Sequence, residues 1–182
     1  MKLIYVIGLA GVGKSTAVQQ ALLSLGYLNG TAHEQPLPHI VWTQTNGKSI
    51  TELGRRRESF SGTDALALNI QPKATAWLES KPAELVIAEG DRLGNAKFFD
   101  VAVNVCDEFV VVLIDALAET AKARAYRRAQ RLGVPLQNDV WWKGRITKVS
   151  NLADRYAENL VRIDGTENRS VVAGELAKLI SA

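Results

Sequence analysis

Eight residues near the start of the chain carry the clearest chemistry. Gly8-Leu9-Ala10-Gly11-Val12-Gly13-Lys14-Ser15 matches the pattern G-x4-G-K-[ST] in full and is followed by Thr16. Glycines at these positions let successive backbone amides turn inward around phosphate oxygens. A helix beginning at Lys14 would add its positive end, the Lys14 ammonium a point charge and the Ser15 hydroxyl a magnesium ligand. Gly8, Ala10, Gly11, Val12, Gly13, Lys14, Ser15 and Thr16 are therefore the expected contacts to ATP, with Mg2+ on Ser15.

Three further groups could act beside that loop. Glu89-Gly90-Asp91-Arg92 closes an apolar run. Either carboxylate could hold magnesium, with Asp91 the named ligand, or accept a proton from an acceptor hydroxyl, and Arg92 could grip the acceptor. Arg124, Arg127, Arg128 and Arg131 fall at i, i+3, i+4 and i+7, one face of a helix. They suit a lid that neutralises transferred charge, Arg124 and Arg128 foremost, although a solvated face has the same spacing. Arg55, Arg56, Arg57 and Asp64 form a polar, basic stretch suited to an acceptor. Trp141, Trp142 and Arg145, with Lys148 following, interleave rings with cations as stacking on a base requires. A solvated loop in the first case, and one core tryptophan in the second, are the plainer alternatives.

The elements that must position these groups follow from periodicity. Residues 3 to 7, 38 to 44, 84 to 90, 108 to 116 and 159 to 165 read as strands. Helices are expected from Lys14 to Leu25, about Asn95 to Val103, Leu117 to Leu132 and Ser170 to Ile180. Two short helices are expected on either side of Pro72, the first capped by Thr63-Asp64. Residues 45 to 61 read as a long loop or a short helical piece. Strands alternating with helices imply an α/β fold: a parallel sheet of about five strands covered on both faces. Ligands then sit at the carboxyl ends of the strands, with Gly8, Glu89, Asp91 and Asp115 on one rim.

At 182 residues and 47% hydrophobic composition the chain fits a single domain, 1 to 182. An acceptor-binding insertion is expected at about 45 to 80 and an arginine-rich lid at about 117 to 148. One cysteine, Cys106, and two histidines give neither a disulfide framework nor metal-ligand spacing. Residues 3 to 7 are too short a run to span a membrane, so a cytoplasmic protein with no membrane partner is expected. The net charge of +3 is compatible with polyphosphate or nucleic-acid ligands.

The strand, glycine loop and helix, the EGDR strand end, the arginine helix and the terminal strand-helix pair together resemble the thymidylate kinase-like branch of P-loop kinases across nearly the whole chain. In that branch an Asp-Arg pair after the third strand touches the acceptor, as Asp91-Arg92 would. The loop interior Leu9 to Val12 lacks the acidic residue usual in thymidylate kinases. GRRRESFSGTDAL, EGDRLGNAKFFD and WWKGRITKVSNL are more similar to bacteriophage P-loop kinases, among them the 5-hydroxymethyluracil DNA kinases. That resemblance implies phosphoryl transfer from ATP to the hydroxymethyl group of a modified thymine base in DNA, a step in hypermodification of phage DNA. A free deoxynucleoside monophosphate or nucleoside is the alternative acceptor. A regulatory GTPase would carry an Asn-Lys-x-Asp segment, and the sequence has none.

Overall fold

The computed structural model describes residues 1–56 and 64–182. The chain begins with β1 (Lys2–Ile7), in which Leu3 to Ile7 are all buried. A strand apolar on both faces is stable only inside a sheet covered twice. β1 lies between β5 (Leu85–Glu89) and β6 (Glu108–Asp115), parallel to both. β4 (Ser49–Leu53) adds to β5, and β7 (Leu160–Asp164) to β6, again in parallel. The sheet order is β2-β3-β4-β5-β1-β6-β7.

Among the described residues five strands are thus parallel, as expected, but the sheet has seven, and the strand expected at 38 to 44 is not one of the five. Residues 38 to 44 hold β3 (His39–Thr43), which runs antiparallel between β2 (Asn29–His33) and β4. The parallel strand is β4, inside the stretch expected to be a loop. Its polar residues Thr51 and Glu52 are buried, so the alternation that marks a strand is hidden. β2 is exposed at every residue and offers no apolar signal.

Helices cover both faces. α1 (Lys14–Ser24) and α6 (Arg169–Ser181) pack with even-numbered β1 residues Ile4 and Val6. α2 (Gln71–Glu79), α3 (Ala96–Val105) and part of α5 (Asp139–Arg155) pack on Leu3, Tyr5 and Ile7. α4 (Ala118–Leu132) ends at Gly133, whose φ of 63° provides the left-handed stop. Among the described residues only one helix flanks Pro72: Leu66 and Ile70 are buried without forming a helix of their own. The proline sits in the first turn of α2, where its missing amide costs nothing. α5 was not foreseen as a helix, since Gly144 and its β-branched residues blur the period.

The chain leaves β5 on one side of β1 and enters β6 on the other. That reversal opens a crevice at the carboxyl ends of the strands. No helix among the described residues is long and apolar enough to cross a membrane.

Candidate active site

The crevice holds a cavity of about 510 Å³ lined by Gly8 to Gly11, Gly13 to Thr16, Asp64, Glu89 to Arg92, Arg128, Trp141 and Arg145. Residues from the P-loop, the strand end, the arginine helix and the tryptophan segment therefore meet in one place. A second cavity of about 640 Å³ lies along the start of α1. Gly11, Gly13, Thr16, Arg124, Arg127, Arg128, Arg131 and Arg169 line it. Gly11, Gly13, Thr16 and Arg128 border both cavities.

On the P-loop side, Lys14 Nζ donates to the carbonyls of Gly8 at 2.9 Å and Leu9 at 3.0 Å, so the side chain spans its own loop. Burial pushes this ammonium below its ordinary range; the Glu89 and Asp64 carboxylates oppose that, and Arg128 adds to it. Ser15 Oγ donates to Glu89 Oε1 at 2.5 Å. A hydroxyl and a buried carboxylate, both hard oxygen donors, suit Mg2+, which needs only one or two protein ligands beside phosphates and water. No cluster of three potential metal-ligating residues occurs among the described residues. α4 crosses close over the loop. A Cβ at Gly11 would lie 2.3 Å from the Ala121 carbonyl oxygen, and φ at Gly11 is 90°.

Gly90 decides what Asp91 does. Its φ of 102° turns the chain at the end of β5, so Glu89 faces Ser15 while Asp91 faces α5. The Asp91 carboxylate pairs with Arg145 and with Lys148 Nζ, the latter at 2.7 Å. Lys148 also donates to the Asp91 carbonyl at 2.9 Å. The carboxylate beside Ser15 is therefore Glu89 rather than Asp91, the residue named from sequence as the metal ligand. Desolvation and then Arg145 bring the Lys148 ammonium down to about 8. Asp64 fixes the same turn: its Oδ2 accepts from Asp91 N at 2.8 Å and its Oδ1 from Arg92 N at 3.0 Å. Desolvation raises the Asp64 carboxyl above its ordinary value despite those bonds.

Other expected residues separate. Trp141 lines the cavity with Arg145 stacked on it, Cζ 5.1 Å from the ring centroid. Trp142 is only 4% exposed and packs edge-on against Tyr126 and Trp141. Successive helical residues point about 100° apart, so one ring faces the cavity and the other the α4–α5 seam; Trp142 is packing, not platform. Arg56 binds Glu52 at 3.3 Å and lies over Trp42. Arg55 pairs with Glu34. Neither lines the cavity, so these two are corrected from acceptor contacts to local ion pairs. Arg57 lies outside the described residues, as do residues 58 to 63. Arg124 donates to the Gly165 carbonyl at 3.0 Å and stays in the second cavity. Asp115 pairs with Arg162 at 3.2 Å and does not line the first cavity. Gln137 lines the cavity without a sequence signal, whereas Lys148 was legible as the i+3 neighbour of Arg145 had α5 been read as a helix.

The sequence profile of the P-loop Nucleotide Kinase3 family matches residues 1–181. The chain belongs to this P-loop nucleotide kinase family. The kinase also shares its fold with solved structures of low identity. Deoxyadenosine kinase from M. mycoides with bound dATP is 14% identical, covers 100% of both chains and superposes with a TM-score of 0.55. A gluconokinase from Sinorhizobium meliloti 1021 is 12% identical, covering 99% of this chain and 95% of its own, at 0.54. Shikimate kinase from Acinetobacter baumannii in complex with shikimate is 19% identical, covering 98% and 92%, at 0.52. No curated protein sequence matches the kinase. Membership of this family makes it an enzyme, a phosphoryl-transferring kinase.

Proposed function

We propose that this kinase transfers the γ-phosphoryl group of ATP to the hydroxymethyl group of a 5-hydroxymethyluracil base in DNA. The observation that carries the reading is a single cavity whose one wall is the P-loop with Ser15 and Glu89, and whose other wall is the Trp141–Arg145 stack beside Asp91. The amides of Gly11 to Thr16 hold the triphosphate, and the adenosine end extends along Thr16 into the arginine-lined second cavity. Magnesium, held by Ser15 directly and by Glu89 directly or through water, would neutralise charge on the β- and γ-phosphates. Lys14 and Arg128 meet the charge that develops on the transferred group. Trp141 stacks on a base taken out of the helix, and Asp91, fixed by Arg145 and Lys148, accepts the hydrogen bond of the attacking hydroxyl.

Labelled ATP offered with hydroxymethyluracil DNA, unmodified DNA and free deoxynucleosides or their monophosphates tests this. Label should enter only the modified polymer, and turnover should fall steeply with salt as phosphate contacts release counterions. A second reading, a free deoxynucleoside or its monophosphate as acceptor, draws on the shared fold with the M. mycoides deoxyadenosine kinase. A far higher kcat/KM for a free acceptor would install that reading instead.

A further inference from the structure

A third cavity, of about 770 Å³, takes no part in the chemistry above. It lies where β6 and β7 end, between the start of α4 and the middle of α5. Leu9 and Val149 border both this cavity and the P-loop cavity, so the two meet at the second residue of the loop and one turn of α5 beyond Arg145. Leu113, Val149, Ala153 and Ile163 give the third cavity an apolar lining. Leu117, just before α4, and Ile146, on α5, also line it, and they are 73% and 42% exposed. Large apolar side chains left open to water around a cavity with a polar rim mark a ligand groove.

The rim says which ligand. Among the described residues its charged groups are Asp115, Arg162 and Asp164, and Asp115 pairs with Arg162. Asp164 is left as the uncompensated charge. Its Oδ1 accepts from Thr166 Oγ1 at 2.6 Å and from Thr166 N at 2.8 Å, which holds the carboxyl below its ordinary value. Oδ2 accepts from nothing among the described residues. A negative rim disfavours a phosphate. A flat, uncharged ring carrying an amino group suits both the apolar lining and the open carboxylate oxygen.

We infer that this cavity takes the nucleobase next to the target base in the DNA acceptor, held against Leu117 and Ile146, and that Asp164 selects a neighbour with an exocyclic amino group. This rests on the proposal that the acceptor is a base in DNA. With the target base on Trp141, the neighbour is tied to it by one sugar-phosphate link, and a cavity joined to the first at Leu9 and Val149 is the place within that reach. Adenine, cytosine and guanine each carry an amino group that Asp164 Oδ2 can accept from; thymine carries none.

The test offers labelled ATP with 5-hydroxymethyluracil as the free nucleoside, in dinucleotides with one neighbour on the 5′ or the 3′ side, and in a longer single strand, the neighbour being each of the four bases. Adding a neighbour on one side should raise kcat/KM by about 10-fold, and on that side thymine should be about fivefold poorer than the amino-bearing bases. Ile146→Trp fills the cavity and should erase the gain while the free nucleoside reacts as with wild type. Ile146→Ala, a truncation at an exposed position, should reduce the gain and serves alone if the tryptophan variant does not fold. Asp164→Asn keeps an oxygen for Thr166 and offers an amide N–H, so it should lift thymine relative to the other three. No gain on either side, or a gain unchanged in both Ile146 variants, overturns the inference and leaves the proposed activity standing. Equal gains with all four neighbours overturn the role of Asp164. A raised KM for ATP in Ile146→Trp would give the cavity to the donor, and a dimer in sedimentation that Ile146→Trp disperses would give it to a second copy of the chain; either overturns the inference. If wild type labels no hydroxymethyluracil acceptor of any length, the inference and the proposed activity fall together.

Discussion

The two walls of the cavity are built in different ways. The P-loop wall comes mainly from one continuous segment, Gly8 to Thr16, joined by Glu89 through Ser15, anchored between the buried strand β1 and α1 and pressed from above by the backbone of α4. The facing wall is assembled from residues far apart in sequence: Asp64, Asp91 and Arg92, and Trp141 with Arg145. Side-chain hydrogen bonds and partly exposed ion pairs hold it together. A wall made of backbone can change little without unfolding, which suits a phosphate site common to many kinases. A wall made of side chains can be re-specified one residue at a time, which suits an acceptor that differs between enzymes. Two glycines express the contrast. A Cβ on Gly11 would strike the backbone of α4, whereas one on Gly90 would strike the Asp64 carboxyl group, 2.3 Å away in each case.

The largest effect should come from the P-loop wall. Lys14→Ala removes the ammonium that spans the loop and that the proposed function sets against the transferred charge, while the buried strand and helix should stay intact. Turnover should fall by about 1000-fold, roughly 4 kcal/mol of transition-state stabilisation, with the thermal midpoint close to wild type. Turnover within threefold of wild type would remove the phosphate site from this loop.

Gly90→Ala should damage only the facing wall. A side chain at φ 102° against Asp64 strains the turn by roughly 1–3 kcal/mol. It displaces the amides of Asp91 and Arg92 from their carboxylate. The expected loss is about 100-fold in kcat/KM for the acceptor, with the KM for ATP nearly unchanged. Equal loss on both substrates would mean that the two walls are not separable.

How much of this was legible in the sequence follows the same division. The P-loop wall was readable because its chemistry, glycine spacing and flanking elements lie in one short segment. β1, β5 and β6 were readable because they are apolar between their charged ends. The facing wall was readable only as residue types. Asp64, Arg92, Trp141 and Arg145 were expected at the acceptor and do line the cavity, but no local pattern reveals that Asp91 turns toward α5, since that depends on the backbone angle at Gly90. Arg55 and Arg56 carried the charge an acceptor needs and went elsewhere, because Glu34 and the buried Glu52 lay in strands or turns whose positions the sequence did not disclose. Trp142 could be separated from Trp141 only once α5 was known to be a helix.

A pH profile should sharpen the description of the facing wall. Lys148 is depressed to about 8, so its ammonium is charged below that value and holds Asp91, and is lost as pH rises through it. Acceptor kcat/KM should therefore decline above about pH 8, by about fivefold for one partly exposed ion pair worth roughly 1 kcal/mol. Lys148→Arg keeps its charge across the same range and should abolish the decline while leaving the value at pH 7 near wild type. A decline that persists unchanged in Lys148→Arg would assign it to another group.

The smallest expected effect comes from a helix cap. Asn138 accepts from Trp141 N at 2.9 Å and so secures the first turn of α5; the next turn carries Arg145. Substitution by alanine should cost about 1 kcal/mol of local stability, lowering the unfolding midpoint by about 2–4 °C in a chain of this size. On the P-loop wall a loss of that size would be absorbed by buried packing, but α5 meets the cavity through Trp141 and Arg145, whose positions depend on that first turn. The KM for the acceptor should therefore rise by about twofold to fivefold, the equivalent of about 0.5–1 kcal/mol, while the KM for ATP and the single-turnover rate with saturating acceptor stay as they are. If Asn138→Ala instead slows the chemical step with acceptor saturating, the first turn of α5 governs the transferred phosphoryl group itself, and the division between a mainly backbone wall for the donor and a side-chain wall for the acceptor would have to be redrawn to place α5 with the P-loop.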